Sequence, residues 1–302
     1  MLLSSSIGPF LKYYSVEEAI DLMLKAGFDA IDFAFFDERF YGVETDGADF
    51  KSYFQTLKAM AEEKGMCFNQ AHAPMPSSRP DEAWTAKMFE NIVRSIRNAS
   101  YLGIPHIVVH PVQHIPYWTE GTPERLFEMN MDFYGRLKPY SEEYGVKIAL
   151  ENMWHYRSRQ ITHSVCSRAE EFNRYLDTLN SDCFIGCLDI GHATLVCENA
   201  EDIIRKMGKN RLRALHVHDV DGFEDSHTLP YYGVTNWDLV AKALKEIGYE
   251  GDFTFEVIGF LTKLPKALYP SATTHLVATG RHIMSQILNG YFKGHQNEFA
   301  IS

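Results

Sequence analysis

Short apolar runs alternate along the chain with amphipathic segments. Each run, such as residues 30–36, has the length and composition of a buried strand, and the segment after it carries apolar residues at helical spacing. The first helix shows the boundary signals: Ser15 and Glu18 form a capping box before the apolar positions, and Gly27 ends the helix. The pattern therefore predicts strand–helix units in succession.

Eight such units can be counted. The predicted strands are residues 2–7, 30–36, 66–71, 106–109, 147–150, 184–188, 212–215 and 252–255. Parallel strands require crossover helices, and eight units favour a closed (β/α)8 TIM barrel in a single domain. We expect this α/β domain to occupy residues 1–290, with a C-terminal tail at residues 291–302. A doubly wound open sheet is the alternative, but the glycine-rich phosphate-binding turn of such folds is missing after the first strand.

The chain is acidic, with 40 Asp and Glu residues against 29 Lys and Arg residues and a net charge of −11. This charge disfavours long-range attraction to nucleic acid and to anionic membranes, and it suits the binding of cations. No apolar run reaches the ~20 residues that span a bilayer, and the first residues lack the basic segment of a signal peptide. The five cysteines form no CxxC pair, which favours reduced thiols. We therefore expect a cytoplasmic protein that binds no membrane.

Polar residues follow six consecutive predicted strands, from the third to the eighth, where each strand ends. They are His72, His110, Glu151, Asp189, His216 and Glu256, spaced 27 to 41 residues apart. Each one alone could be a buried histidine bonded to a carbonyl, or a carboxylate that caps the next helix. In a barrel, however, all these strand ends converge on the mouth, where catalysis resides. Histidine and carboxylate ligands without thiolate suit Mn, Co, Zn, Mg or Fe, so we expect a divalent metal site there.

The segment 212–227 concentrates this chemistry. Its apolar run ends in His216, His218 and Asp219, and Asp225 and His227 follow shortly after. Side chains alternate along a strand, so His216 and His218 are predicted to project to the same side. Burying so many polar groups is costly unless they bind something, although a solvated polar loop is the alternative interpretation. We expect this segment to supply part of the metal site.

Seven short motifs occur in a fixed order along the chain. They are His-Ala-Pro (72–74), Val-His-Pro (109–111), Leu-Glu-Asn (150–152), Asp-Ile-Gly-His (189–192), His-Val-His-Asp (216–219), Asp-Ser-His (225–227) and Phe-Glu-Val (255–257). With them the chain resembles the xylose-isomerase-like barrel superfamily, which includes sugar isomerases, ketose 3-epimerases, inosose dehydratases and endonuclease IV. The resemblance implies a divalent-metal-dependent isomerase or epimerase that acts on a sugar, a sugar phosphate or a related polyol through an enediolate.

The resemblance also implies roles for individual residues. One divalent ion (Mn, Co, Zn or Mg) would be held by Glu151, Asp189, His216 and Glu256. Glu151 and Glu256 would in addition act as the acid–base pair that moves the substrate proton. His192 would contact the substrate.

Endonuclease IV is the principal alternative, because its three-zinc pattern also finds a match at each position. Its additional ligands would be His72, His110, His192, Asp225 and His227. Up to three ions are then possible, and His218 is a further candidate for metal or substrate binding. A nuclease acting at abasic sites needs basic and intercalating loops around the mouth, and beyond Arg157 and Arg159 none follow the strands. We therefore do not expect nucleic acid as a partner. The same motifs would also fit an inosose dehydratase-like lyase or a non-catalytic sugar-binding barrel.

The chain departs from the ketose epimerases near the predicted mouth. Where those enzymes carry a glutamate six residues beyond the metal-binding Glu151, this chain has Arg157, which could meet a phosphate or carboxylate of the substrate. Trp118 and Trp154 are candidate rings for stacking on the apolar face of a sugar. The expected partner is a small carbohydrate, and the chain could form a homo-oligomer.

Overall fold

The computed structural model describes residues 1–40 and 48–290. Ten strands are present in this part of the chain: β1 Leu3–Ser6, β2 Ala30–Ala34, β3 Cys67–His72, β4 His106–Val108, β5 Lys147–Glu151, β6 Trp154–Arg157, β7 Gln160–His163, β8 Phe184–Asp189, β9 Leu212–His216 and β10 Phe253–Phe255. The α-helices described are α1 Val16–Ala26, α2 Ala48–Glu63, α3 Glu82–Leu102, α4 Thr122–Tyr144, α5 Ala169–Leu179, α6 Ile190–Leu195, α7 Ala200–Arg211, α8 Trp237–Glu246, α9 Ile258–Thr262 and α10 Tyr269–Asn289. The predicted tail at residues 291–302 lies outside the described residues.

Eight of the strands form one parallel sheet in the order β10, β1, β2, β3, β4, β5, β8, β9. The sheet closes just beyond β9, where the N–H of Val217 donates to the carbonyl of Thr254 (2.9 Å) and the N–H of Glu256 donates to the carbonyl of Val217 (3.1 Å). Closure satisfies the two edges that an open sheet would expose. The predicted fold, a single-domain α/β TIM barrel, is confirmed, whereas the domain limits at residues 1 and 290 stay a prediction.

The boundaries of the first helix are formed by the residues that the sequence predicts. The Oγ of Ser15 accepts from the N–H of Glu18 (3.2 Å) while Glu18 Oε2 accepts from the N–H of Ser15 (2.9 Å), and Gly27 follows α1 at a φ of 103°. The predicted capping box and left-handed stop are therefore both present. Within the described residues, no helix is both long and apolar enough to cross a membrane.

The barrel interior is apolar on one side and polar on the other. Between β4, β5, β8 and β9 it is filled by a cluster of mostly small apolar side chains, namely Val108, Ala149, Ile185, Cys187 and Ala214. Between β10 and β1, the hydroxyl of Ser4 donates to the hydroxyl of Thr254 (2.9 Å). Large side chains that alternate with these residues, such as Leu3 and Phe253, pack outward against the helices.

One hairpin and two short α-helices of the described chain are absent from the sequence prediction. The antiparallel hairpin β6–β7 lies between β5 and α5, in a segment without apolar residues at helical spacing. The helix α6 begins directly after Asp189, whose carboxylate accepts from the N–H of His192 (2.6 Å) as an N-cap. The helix α9 spans five residues after β10. Such short elements carry too few periodic positions to be recognised from the pattern alone.

Candidate metal centre

The carboxyl ends of four strands bring together Glu151, Asp189, His216 and Glu256, which we call the deep cluster. Each offers one ligand atom, these atoms lie within 4.8 Å of one another, and all four side chains are buried. Nδ1 of His216 lies 2.7 Å from Oε1 of Glu151, 3.5 Å from Oε2 of Glu256 and 4.0 Å from Oδ2 of Asp189. The residues that the sequence analysis placed around one ion therefore converge; their role as ligands stays a prediction.

The charges of the deep cluster suit a cation. Burial by itself would raise the pKa of Glu151, but His216 and His110 outweigh it and hold the pKa well below its ordinary value. Burial would lower the pKa of His216, but Glu256 and then Glu151 raise it to about 10. In the metal-free protein the imidazolium therefore balances part of the carboxylate charge. Zinc-type bonds of ~2.0–2.2 Å place ligands on opposite sides of an ion roughly 4 Å apart, so the cluster has dimensions that fit one.

His72, His110 and Glu151 form a second group, the side cluster. Nε2 of His110 lies 2.9 Å from Oε2 of Glu151 and 3.1 Å from Nε2 of His72. Nδ1 of His72 contacts the carbonyl of Ala73 at 2.8 Å, so Nδ1 carries a proton and Nε2 is the nitrogen that faces the cluster. Glu151 thus belongs to both clusters and turns one oxygen to each.

The outer cluster consists of His192, His218, Asp225 and His227. Oδ2 of Asp225 lies 3.1 Å from Nε2 of His227 and 3.3 Å from Nε2 of His192. The rings of His218 and His227 stack with their centroids 3.9 Å apart. These residues come from α6 and from the segment that follows β9, so the outer cluster lies beside the deep one.

His218 connects the deep and outer clusters. Its Nε2 lies 3.0 Å from Oδ2 of Asp189 and 4.0 Å from Oδ1 of Asp225. Like His216, it faces the interior, as strand alternation predicts. The two clusters consequently share an electrostatic environment.

Opposite charges stabilise the outer cluster in the metal-free protein. Burial would raise the pKa of Asp225, but His192 and His227 hold it far below its ordinary value. Burial would lower the pKa of His227, yet the hydrogen bond with Asp225 and the charge of Glu256 raise it to about 9. The cluster is therefore an ion-pair network at neutral pH.

Asn152 fixes the geometry between β5 and β8, a role that the sequence analysis did not assign. Its Oδ1 accepts from the N–H of Asp189 (2.7 Å), and its Nδ2 donates to the carbonyl of Asp189 (2.9 Å). Its own carbonyl contacts Nδ1 of His192 at 2.9 Å. The Leu-Glu-Asn motif contains this residue, so its position next to Glu151 was the signal that could have found it.

Asp219 turns away from the clusters, although it directly follows the histidines of the same motif. Its two carboxylate oxygens accept four hydrogen bonds of 2.9 to 3.1 Å, from the N–H groups of Val220, Tyr231 and Thr235 and from Nε1 of Trp237. A carboxylate with four donors has no free lone pairs for a metal in this geometry. Asp219 therefore anchors the loop that carries Asp225 and His227.

A cavity of about 330 Å³ opens above the clusters. Its walls are largely apolar and include Met75, Trp154, Tyr156 and Ile258, while cluster residues line its base. Nε1 of Trp154 lies 3.2 Å from Oδ2 of Asp225, so this ring borders the outer cluster. Among the described residues that line the cavity, none is Lys or Arg.

Two predicted substrate residues stand outside this cavity. Arg157, on the exposed hairpin, has its guanidinium 5.9 Å from the centroid of Trp118. Neither side chain is part of the cavity lining, whereas Trp154 is. Arg157 is exposed at the end of β6, where the hairpin turns into β7.

Comparisons with known proteins agree with the barrel. A family model described as "Xylose isomerase-like TIM barrel" matches residues 20–272. The chain is 29% identical over 190 residues to the uncharacterised protein MJ1311 of Methanocaldococcus jannaschii, a match that covers 61% of this chain and 62% of that one. The chain thus spans less than two thirds of the length of this relative.

Two further similarities concern a characterised relative and a solved structure. The inosose isomerase of Halalkalibacterium halodurans is 24% identical over 222 residues, covering 69% of this chain and 70% of that one. A crystal structure of the IOLI protein with a bound zinc atom superposes with a TM-score of 0.73 at 20% identity, over 97% of this chain and 100% of that one. At this identity the superposition bears on the fold alone.

Proposed function

Because the chain belongs to the xylose isomerase-like TIM barrel family, we propose that it is a divalent-metal-dependent isomerase or epimerase of a sugar, a sugar phosphate or a related polyol. The observation that carries this proposal is the deep cluster. Two buried glutamates, Glu151 and Glu256, flank His216 at 2.7 Å and 3.5 Å, at the base of an open cavity. Paired carboxylates at one reacting carbon suit removal and return of a proton.

The resident ion in this proposal is one Mn, Co, Zn or Mg ion held by Glu151, Asp189, His216 and Glu256. Such an ion, when bound, acts as a Lewis acid that polarises the carbonyl of the substrate. The hard oxygen ligands and the single imidazole of the deep cluster match the preferences of these metals. The inosose isomerase among the relatives and the zinc in the IOLI structure are properties of those proteins; they support the proposal by family membership.

The side chains of this protein would perform the proton transfer. One glutamate of the pair removes the proton from the carbon next to the carbonyl, which gives an enediolate, and the other returns a proton on the same or the opposite face. His192 and His227 line the cavity and would contact a bound substrate. Trp154 and Tyr156 offer rings on which the apolar face of a sugar can stack. The cavity volume lies in the range of small-molecule sites.

An abasic-site nuclease is the second candidate, because the candidate ligands among the described residues extend beyond the deep cluster. The side, deep and outer clusters together provide the histidines and carboxylates that a three-zinc site would require. A nuclease must also bind a polyanion, and the described cavity lining contains no Lys or Arg while the whole chain carries a net charge of −11. The charges therefore favour the sugar enzyme.

The test combines metal removal with a panel of substrates. Ketoses, aldoses, their phosphates and inososes are offered to the purified full chain, to the chelator-treated chain and to the chain with each metal restored. We expect one member of the panel to be converted by the metal-restored protein and by no chelated sample. Failure of the whole panel, together with metal-dependent cleavage of DNA at abasic sites, would replace this proposal with the nuclease.

A further inference from the structure

Below the deep cluster, the polar side of the barrel interior contains buried polar atoms that no group of the described residues bonds. Among them are both carboxylate oxygens of Asp32, Nε2 of Gln70 and Nε2 of His216. All three side chains are almost fully buried. Buried polar atoms are normally paired with protein groups or ordered water, so atoms without partners call for an explanation.

Asp32 points into the interior of the barrel. Its neighbour Phe33 packs outward, with its ring centroid 5.8 Å from that of Phe54 on α2 and 5.9 Å from that of Phe68 on β3. Because side chains alternate along a strand, Asp32 lies on the opposite, inner face of β2. An ionisable group at such a position is uncommon without a paired or bonded partner.

Gln70 stands beside Asp32 on the neighbouring strand. The register pairs the two residues directly, since the ladder shifts by one residue between Ile31 and Asp32. Oε1 of Gln70 lies 3.0 Å from Nε2 of His106, and burial lowers the pKa of His106 to about 4, so this neutral ring donates to the amide oxygen. The amide nitrogen of Gln70 is therefore left as a donor that needs an acceptor.

His216 also has a buried donor that needs an acceptor. Its Nδ1 faces the carboxylates of the deep cluster, so Nδ1 is the nitrogen available to a metal. When Nδ1 is a ligand, the neutral ring must carry its proton on Nε2. That N–H is buried and has no protein partner within the described chain.

We propose that Asp32 is a positioning residue for His216, holding the Nε2–H of that ring through buried water that also bonds the amide of Gln70. The Nε2–H of His216 and the amide of Gln70 then donate, through water, to the oxygens of Asp32, and no direct contact between Asp32 and His216 is needed. Ring nitrogens of metal-bound histidines are commonly oriented in this way by a carboxylate or by water. The inference rests on the proposed metal at the deep cluster.

Electrostatics supports this placement. Burial raises the pKa of Asp32 to about 7, while His216, first among the charged neighbours, and then His72 act to lower it. The same carboxylate in turn helps to raise the pKa of His216. Asp32 therefore acts on the deep cluster without being one of its ligands.

The test compares Zn²⁺ affinity among full-length variants by competition with a chelating dye. We expect Asp32→Ala to weaken binding by about 10- to 100-fold and Asp32→Asn, which keeps the shape of the side chain, by about 10-fold. Ser4→Ala is the control, because Ser4 bonds other polar groups of the interior and is remote in sequence from every ligand. Its affinity should stay within about threefold of the wild type.

Nuclear magnetic resonance gives a second readout on zinc-saturated protein. The Nε2 proton of His216 should exchange slowly with solvent in the wild type and faster in Asp32→Asn, even where both are fully loaded. If Asp32→Ala does not fold, Asp32→Asn decides the matter alone. Wild-type affinity and unchanged exchange in the folded variant would overturn the inference and leave the proposed function standing. A wild-type chain that takes up no ion would overturn both.

Discussion

His216 and Glu151 stand 65 residues apart in the chain and meet with Nδ1 2.7 Å from Oε1. The second oxygen of Glu151 lies 2.9 Å from Nε2 of His110. One carboxylate therefore joins the deep and side clusters, and its loss removes a ligand from the first and a bonding partner from the second. This makes Glu151 the most informative position to change.

Glu151→Gln should lose both metal and activity. The amide replaces a charged ligand and, in the proposed mechanism, one member of the acid–base pair, so turnover should fall by at least ~10²-fold. Metal content per chain and the rate on the substrate found by screening measure the two effects. Glu128→Gln, on the exposed face of α4, should behave as the wild type. A Glu151→Gln protein that keeps its full metal complement would show that the ion is held elsewhere.

The outer cluster is expected to contact substrate and to hold no tightly bound ion. Asp225→Asn removes the charge that bonds His192 and His227, so substrate binding should weaken while the ion content stays at one per chain. Elemental analysis of the wild type and the variant measures the ion content, and the rate at different substrate concentrations measures substrate binding. Three ions in the wild type and fewer in the variant would instead assign the outer cluster to a metal.

The stability of the metal-free protein should fall as the pH rises through the range of the histidines. The pKa of His227 is raised to about 9, so its contribution is fully present below the unfolded histidine value of ~6.5 and is lost between there and 9. The pKa of Asp225 is lowered, so its contribution is present above ~3.9 and is lost as the pH falls below that value.

Melting temperatures of chelator-treated protein across this pH range test the expectation. The melting temperature should decline between pH ~6.5 and ~9, and His227→Gln should decline less steeply. The difference in melting temperature between metal-loaded and metal-free protein should increase as the pH rises, since the ion requires neutral imidazoles. A melting temperature of the metal-free wild type that is flat over this range would contradict the ion-pair network.

Asp219→Asn should destabilise the fold without removing a ligand. One oxygen of Asp219 accepts hydrogen bonds from Tyr231 and Trp237, and the other accepts from Val220 and Thr235. In the variant, the amide NH₂ would replace one of these oxygens and turn a donor towards two N–H groups. Each buried donor left without an acceptor costs ~1–3 kcal/mol, so we expect a loss of at least about 2 kcal/mol in urea unfolding. The exposed Asp182→Asn serves as the reference, and equal stability of the two variants would argue against the anchoring role.

Much of the architecture could be predicted because it repeats. The strand–helix period marks all eight barrel strands, and residues such as His110 and Glu256 follow the ends of those strands within two residues, so their convergence is a consequence of barrel geometry. The capping signals at Ser15 and Gly27 were equally local.

Tertiary partners set the limits of that prediction. Asp219 and Asp225 have the same chemistry and lie close in sequence, yet one accepts four structural hydrogen bonds and the other bonds two histidines of the outer cluster. Asp32 belongs to an ordinary strand pattern, and only the packing of Phe33 on the outer face reveals that it points inward. Spacing alone predicts Arg157 near the mouth, whereas the hairpin in which it lies exposed is visible only in the structure.

The most direct measurement of the proposed reaction is solvent exchange at the carbon next to the carbonyl. Metal-loaded protein is incubated in deuterated water with ketoses, aldoses, their phosphates and inososes, and the products are read by proton and carbon magnetic resonance. We predict conversion of one member, deuterium at that carbon, and a rate at least ~10²-fold lower in Glu256→Gln. Neither conversion nor deuterium in any compound, while the same sample cleaves DNA at abasic sites, would contradict the account.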